Sequence, residues 1–520
     1  MRVVESLQSL LSRQKTEIAA IPWLKCNDIN RDPKNHKFAR KVILIKQPLV
    51  VDLDGTLIHT DMLHESTLRV LKDRPIDVLR IPFLLAKGKA YLKRHLASRI
   101  DFDPQALPYN YELLDWLKGQ RSEGRRLILC TASDHSIAAK IAEYLGIFEE
   151  VIGSDGFLNV AGEKKAKVLT ERFGRGGFDY AGNSHKDLPV WAVARRAIVV
   201  NGAPKLASKA EAVCVVERVF QKRSVGLSDW WRVLRVHQWL KNLLLFVPLL
   251  AAHDIANSGA LVSLVLAFVS FSLCASSVYI ANDLLDLESD RLHPRKRKRP
   301  FASGVVPAWS GVVMAPLILA ASLSVAELVG GKFLWWLIAY FVLTCAYSWL
   351  LKRVMLIDCL TLVLLYTLRI VAGAAAVSHH LSFWLLAFSV FLFLSLAFVK
   401  RYAELEVQLL NGNEKVHGRG YHTDDAPLIQ TMGIVAGYAS VLVLALYLNS
   451  EAVLKLYASP ELIWGAVPVM LFWISWMWMQ AHRGKMHDDP LVFAVKDRAS
   501  LIAGASFAAI LLAGTVGLSW

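Results

Sequence analysis

Asn282-Asp283-Leu284-Leu285-Asp286-Leu287-Glu288-Ser289-Asp290 closes an apolar run that begins at residue 260, and this junction of hydrocarbon and carboxylate decides how the chain is read. The run from 260 to 281 exceeds the ~18–20 apolar residues that a helix needs to cross a bilayer. An ionisable residue inside such a helix costs at least ~2.5 kcal/mol, so it is read as functional by default. On a helix turning ~100° per residue, Asp283, Asp286 and Asp290 fall within a sector of about 60°. Three carboxylates converging in a low dielectric repel one another unless a cation sits among them. Hard oxygen ligands with room for substrate phosphates suit Mg²⁺. A solvated acidic helix end is the plain alternative. Against it stands the next stretch, His293-Pro294-Arg295-Lys296-Arg297-Lys298-Arg299-Pro300, with five consecutive cations. Such a run anchors a cytoplasmic membrane face, and beside a metal site it also makes a rim for phosphate, with Arg295, Lys298 and Arg299 as candidates.

Outward from this point, apolar runs fall at about 243–256, 260–281, 309–329, 333–351, 355–377, 382–399, 427–449, 461–480 and 500–519. They predict an all-α polytopic bundle of about nine transmembrane helices, the first short enough to extend back through Trp239 or to be partly re-entrant. Segments 286–308, 352–353, 400–420 and 482–498 hold nearly all the Lys and Arg of this half. Basic loops stay in the cytoplasm, which places the N-terminal part inside and, with an odd count of spans, Trp520 outside. A multi-pass protein of a bacterial inner membrane is the expected setting.

The rest of the chain has another character. Of 520 residues, the first 240 carry 39 Lys/Arg and 27 Asp/Glu, against 20 and 17 in the last 280. A soluble domain is therefore joined to a membrane domain. The net charge of +15 lies mostly in the soluble part and suits anionic lipid headgroups. No basic stripe interleaved with aromatics points to nucleic acid. The six cysteines show no CxxC spacing and imply neither a metal site nor disulfides. The N-terminus lacks the pattern of a secretory signal.

A second polar set in the membrane half comprises Tyr347, Lys352 and Asp358 around the fourth-to-fifth turn, then Arg369 inside the fifth span, which needs a carboxylate or phosphate partner. Lys241 stands at the mouth of the first span, placed for a phosphate of donor or lipid. With the NDxxDxxxD motif from Asn282, these residues resemble the UbiA-type membrane prenyltransferase superfamily over about residues 228–520. Finer features look most like its decaprenyl-phosphate phosphoribosyltransferase branch: Arg235-Val-His-Gln-Trp-Leu-Lys-Asn242, the basic HPRKRKRPFASG run, Tyr347-Ser-Trp-Leu-Leu-Lys352 with Asp358, Arg369-Ile-Val-Ala-Gly373, and Lys400-Arg-Tyr-Ala-Glu-Leu405. The resemblance implies that polyprenyl phosphate attacks C1 of phosphoribosyl pyrophosphate and displaces pyrophosphate. Mg²⁺ on Asp283, Asp286 and Asp290 would neutralise the leaving group, and Asp358 would position metal or donor. Asn282, Tyr347, Lys352, Arg369 and Lys400 are carried over as substrate-binding candidates.

In the soluble half, Val42-Ile-Leu-Ile45 and Pro48-Leu-Val-Val51 read as a buried strand running into Asp52-Leu-Asp54-Gly-Thr56. Strand alternation sets both acids on one side, and Gly55 permits the turn. Arg126-Leu-Ile-Leu-Cys130 is a second strand, ending in Thr131-Ala-Ser133 ahead of a helix over 136–145. Lys164, Lys165 and Lys167 open another helix, and Phe178 starts a strand that ends in Gly-Asn183-Ser-His-Lys-Asp187. Alternating strands and helices imply a parallel α/β sheet of Rossmann-like form, with ligands at the carboxyl ends of its strands.

The order DxDGT, Thr, Lys, GNSxxD resembles the haloacid dehalogenase (HAD) superfamily over residues 41–220. The resemblance implies Asp52 as nucleophile and Asp54 as general acid/base. Thr131 and Lys165 would sit on the phosphoryl group, and Asp52, Asp54, Asn183 and Asp187 around Mg²⁺. Lys165 is favoured by spacing over Lys164 and Lys167. Asn183 stands where Asp is usual, which keeps an oxygen ligand but removes a charge. Residues 62–108 form a helical cap insertion, whose basic amphipathic stretch 81–96 suits substrate selection or the membrane interface.

The domain layout is then 1–40 as an extension without assigned function, 41–220, a linker at 221–234, and 235–520. The reading that follows is phosphoribosyl transfer to polyprenyl phosphate, then removal of the 5-phosphate by the HAD domain. An aromatic prenyltransferase of quinone or haem synthesis shares the first Asp motif, with the HAD domain accessory or inactive, but it offers a phosphatase no phosphomonoester. A membrane tether or transporter leaves both intact Asp sets unexplained.

Overall fold

The computed structural model describes residues 46–202, 204–221, 223–412, 414, 419–454, 456–486 and 489–517. The extension at 1–40, the strand residues Val42–Ile45 and the placement of Trp520 lie outside them.

Six strands form one parallel sheet: β1 (Leu49–Val51), β2 (Leu127–Asp134), β3 (Glu150–Ser154), β4 (Asp179–Gly182), β5 (Arg196–Gly202) and β6 (Val215–Gln221), in the order 3-2-1-4-5-6. β1 is apolar at every position because it is covered on both faces, as central parallel strands are. Val50 pairs with Ile128 on one side and Tyr180 on the other. Between β1 and β4 the order of strands reverses, which opens a crevice at their carboxyl ends. Asp52 leaves β1 and Asn183 leaves β4 at that crevice.

The insertion at 62–108 is helical. It comprises α1 (Met62–Asp73), a 3₁₀ helix over Pro75–Arg80, a six-residue α-helix over Ile81–Ala86, and α2 (Lys89–Ala97). The stretch 81–96 is not one helix, because Gly88, at φ 112°, breaks it. The sheet is flanked by α3 (Tyr111–Ser122), α4 (His135–Leu145) and α5 (Glu163–Phe173).

The membrane half contains α6 (Ser258–Leu285), α7 (Leu287–Leu292), α8 (Ala308–Val329), α9 (Gly331–Trp349), α10 (Ile357–Val377), α11 (Phe383–Leu410), α12 (Ala426–Leu448), α13 (Ala466–His482) and α14 (Arg498–Val516). Among the described residues eight helices, all of these but α7, are long and apolar enough to span a bilayer, one fewer than the nine expected. The difference is the first apolar run, which winds as a 3₁₀ helix over Val236–Phe246 and an α-helix over Val247–Ala251. It has fewer residues than the other eight but winds partly as the more extended 3₁₀ helix. It lies against α10, where a Cβ on Gly373 would come within 2.0 Å of the Leu245 carbonyl oxygen. Small residues also line α6, with Ser270, Ser272, Ala275 and Ser276 buried.

The two halves share an apolar cluster. Leu68 of α1 and Val233 pack with Ile280, Leu284, Leu287 and Phe301. The stretch taken as a linker is thus partly β6, which runs to Gln221, and partly a helix over Leu227–Val233.

Candidate active sites

In the crevice beside β1, Asp52 Oδ1 accepts a hydrogen bond from Lys165 Nζ at 2.7 Å. The same ammonium donates to the Cys130 carbonyl at 3.2 Å and to the Tyr180 hydroxyl at 2.9 Å. Tyr180 in turn donates to Asp187 Oδ1 at 3.0 Å. Lys165 is 3% exposed, whereas Lys164 and Lys167 on the same helix face solvent. The structure therefore sets Lys165, of the three, against the carboxylate. Asp54 is held by the Met62 N–H at 2.8 Å, by Ser133 Oγ at 2.7 Å and by Thr131 Oγ1 at 3.3 Å. Asp187 Oδ2 accepts from the backbone N–H groups of Asn183 and Ser184 at 3.0 and 2.9 Å. Gly55, at φ 74°, has no room for a side chain, since a Cβ there would lie 2.0 Å from Asn183 Nδ2. The loops after β1 and β4 meet at this contact.

Burial pushes the Asp52 carboxyl up to about 7, with Lys165 opposing and Asp187 and Asp54 adding to the rise. Burial also raises Asp54, helped by Asp61. Lys93, which reaches in from α2 and donates to the Ala132 carbonyl at 2.7 Å, is lowered by its own burial. Nothing in the sequence set Lys93 apart from the other cap cations; only the fold aims it at Asp54. A site with this excess of buried acid fits a divalent cation. Asp52, Asp54, Asn183 and Asp187 surround this crevice, and a carboxylate oxygen that accepts a protein hydrogen bond keeps a lone pair for a cation.

At the membrane face the helix does not continue through the acidic motif. Asp286 is the break between α6 and α7, with φ −101° and ψ 12°. Asp283 and Asp290 are consequently buried together, while the Asp286 side chain is 41% exposed and turns to Lys72 of α1 at 4.0 Å. One arginine nitrogen, Arg299 Nη1, bridges Asp283 at 3.0 Å and Asp290 at 2.5 Å, and Arg235 also pairs with Asp283. The single 60° sector expected for three carboxylates holds for two of them. Asp283 and Asp290 offer oxygen donors of the kind Mg²⁺ takes, and Arg299 balances them here. Among the described residues no three acidic, His or Cys side chains converge on one point. Asn282 donates to Ser348 Oγ at 2.9 Å, and Arg295 and Lys298 are exposed.

The second polar set separates into different places. Asp358 is fully buried and paired with Arg401 at 2.7 Å and Arg419 at 3.2 Å, and it accepts from the Tyr421 hydroxyl at 2.5 Å. Arg369 has no carboxylate in contact among the described residues. Its guanidinium donates to Asn242 Oδ1 and Tyr340 Oη, both at 2.9 Å, and to the Leu365 carbonyl, and it lies over the Tyr340 ring. Within the protein its neighbours are neutral oxygens and a π-face, where the sequence predicts a carboxylate or phosphate partner. Lys241 and Lys400 meet at Asp489, at 2.7 and 3.4 Å, with the Tyr366 hydroxyl 3.3 Å from the same carboxylate. Burial would raise Asp489, but the two lysines outweigh it and hold the carboxyl well below its ordinary range. Asp489 escaped notice in a basic segment, although Asp-Pro ahead of an apolar stretch is a helix-start signal, and Asp489 does cap the helix over Pro490–Lys496. Tyr347 is half-buried in the apolar packing around α9. Lys352 is half-buried and lowered by burial, with Asp286 nearby acting against the shift.

Residues 243–501 match the UbiA prenyltransferase family, and residues 49–191 match the haloacid dehalogenase-like hydrolase family. The chain is 39% identical over 465 residues to the protein y4nM of Sinorhizobium fredii, covering 89% of this chain and 90% of that one. It is 39% identical over 273 residues to the nodulation protein NoeC of Azorhizobium caulinodans, covering 52% of this chain and 87% of the relative. Decaprenyl-phosphate phosphoribosyltransferase of Mycolicibacterium smegmatis is 39% identical over 190 residues, 34% of this chain and 57% of the relative.

Proposed function

For this chain, which belongs to the UbiA prenyltransferase family and carries a haloacid dehalogenase-like hydrolase domain ahead of its membrane bundle, we propose two successive reactions on one lipid. The membrane half transfers 5-phosphoribose from phosphoribosyl pyrophosphate to a polyprenyl phosphate and releases pyrophosphate. The soluble half then removes the 5-phosphate, which leaves polyprenyl-phosphoryl ribose. The likeness to decaprenyl-phosphate phosphoribosyltransferase supports the first step.

One observation carries the pairing of the steps. The first N–H of α1 holds Asp54 of the phosphatase site, and the body of the same helix is fastened to α7 of the acidic motif. Glu65 pairs with Arg291 at 2.7 Å, Arg69 with Glu288, and Lys72 with Asp286. A phosphomonoester made at the membrane face is thus released beside a phosphatase at high effective concentration.

No protein nucleophile is needed for the first step, because a phosphate monoester is already anionic at neutral pH. Mg²⁺ at Asp283 and Asp290 would supply charge neutralisation for the departing pyrophosphate. Arg235 and Arg299 stand beside those carboxylates with guanidinium groups suited to phosphate oxygens. Lys241 and Lys400 orient a lipid phosphate near the bundle mouth. In the second step an Asp52 oxygen attacks phosphorus, and the bond from phosphorus to the sugar oxygen breaks. Asp54 protonates the departing alkoxide, and the resulting carboxylate takes a proton from the water that cleaves the aspartyl-phosphate. Lys165 and Thr131 steady the phosphoryl charge. The basic loops support a cytoplasmic position for both sites, at a bacterial inner membrane.

The test is to incubate purified full-length protein with polyprenyl phosphate, ribose-labelled phosphoribosyl pyrophosphate and Mg²⁺. Label entering the lipid extract is the expected result. Absence of lipid label, with prenylation of an aromatic acceptor from a polyprenyl diphosphate, would overturn it.

A further inference from the structure

A chamber of about 830 Å³ lies where the two halves meet. Its soluble wall includes Gly55 and Asn183, the touching loops on either side of Asp52, and Asn201. Asn201 sits at φ 51°, and its amide donates to the Gly55 carbonyl at 2.9 Å, which fixes the turn after Asp54. The membrane wall comes from the loop after the acidic motif, including Arg297 and Lys298. The walls close against each other at Gly304, where an added Cβ would lie 2.5 Å from the His59 Cβ.

The charge of this chamber is one-sided. Five cationic side chains line it, at positions 223, 232, 291, 297 and 298, against a single carboxylate, Asp229. Asp229 is already shared by Arg223 at 3.6 Å and Arg232 at 3.8 Å, and Arg291 is paired with Glu65. Arg297 and Lys298 have no carboxylate partner among the described residues. The volume is far more than one phosphate requires and suits a sugar phosphate with a second group attached.

We propose that this chamber is the mouth through which the phosphatase takes its substrate, and that the substrate carries a second, separate phosphate held by Arg297 and Lys298 while its monoester reaches Asp52. The inference rests on the phosphatase reading above and adds what that site selects. A sugar whose far end bears a phosphodiester would present that group to Arg297 and Lys298 with its monoester toward Gly55 and Asn183, which flank Asp52, and a simple monophosphate would use only the second of these.

Two soluble probes separate the possibilities: ribose 5-phosphate, and the same sugar phosphate carrying a butyl phosphodiester at C1. With the full-length protein, kcat/KM for phosphate release from the diester-bearing probe is expected to be about tenfold higher, mainly through KM. Arg297→Glu should bring the ratio of the two probes close to one, and Arg297→Lys should keep most of the preference. Ribose 5-phosphate hydrolysis reports that each variant is folded. If the wild type treats both probes alike and Arg297→Glu leaves the ratio unmoved, the chamber proposal is overturned and the phosphatase reading stands. If neither probe releases phosphate, the phosphatase reading fails and this proposal with it.

Discussion

Asp52 and Asp283 are both buried acids at the start of a chemical site, but their surroundings are built oppositely. Asp52 shares its crevice with Asp54 and Asp187, and one lysine touches it. Asp283 and Asp290 are both met by arginine, and Asp286 faces a lysine from the other half of the chain. The soluble site is therefore short of positive charge, whereas the membrane site already balances its own. Both acids are buried, so the difference lies in their partners. The soluble crevice carries its surplus of acid by keeping a proton, whereas at the edge of hydrocarbon each buried carboxylate is met by a fixed arginine.

The largest effect that sharpens this comparison is expected within the acidic motif. Asp283→Ala and Asp290→Ala should each lower lipid labelling by about 10²–10³-fold or more, since each removes a carboxylate from the shared cation position. Asp286→Ala should cost clearly less if the break between α6 and α7 persists in the working enzyme. Equal losses at all three positions would mean that substrate draws Asp286 back to its neighbours. Transfer at near wild-type rate in the Asp283 variant would remove that residue from the site.

A smaller effect concerns pH. In the metal-free protein burial holds the Asp52 carboxyl up at about 7, against an ordinary value of 3.8. Between those values the folded chain keeps a proton that the unfolded chain has lost. Stability contributed at this position is therefore eroded as pH rises from about 4 to 7. Mg²⁺ beside Asp52 favours the ionised form, so the gain in Tm on adding Mg²⁺ should grow by a few degrees across that window and level off above it. The gain should shrink in Asp52→Asn. A gain independent of pH would place the cation elsewhere.

Much of this was legible in the sequence because local patterns carried it. The apolar runs marked the spans, and DxDGT followed by Thr131, Lys165 and Asn183 laid out a crevice whose members come from neighbouring strands and from the helix that carries Lys165. Three features were hidden because they depend on tertiary contacts. The break at Asp286 is tied to ion pairs between α7 and α1, which lies over two hundred residues earlier. Arg369 finds neutral partners only once Asn242 and Tyr340 are folded against it. Lys93 looks like any cap cation until α2 closes over Asp54. The 3₁₀ winding of the first apolar run was hidden too, since hydropathy does not report that Gly373 lets it lie close against α10.

The central claim is that the two sites act in sequence on one lipid, and Asp52→Asn tests it most directly. The substitution keeps shape and removes the nucleophile, so no aspartyl-phosphate forms. Purified wild type and variant would each be supplied with polyprenyl phosphate, phosphoribosyl pyrophosphate and Mg²⁺, and their extracted lipids weighed by mass spectrometry. The account predicts that wild type accumulates lipid-linked ribose and releases inorganic phosphate, while the variant accumulates the same lipid heavier by one phosphate. Identical phosphorylated lipid from both proteins would contradict it.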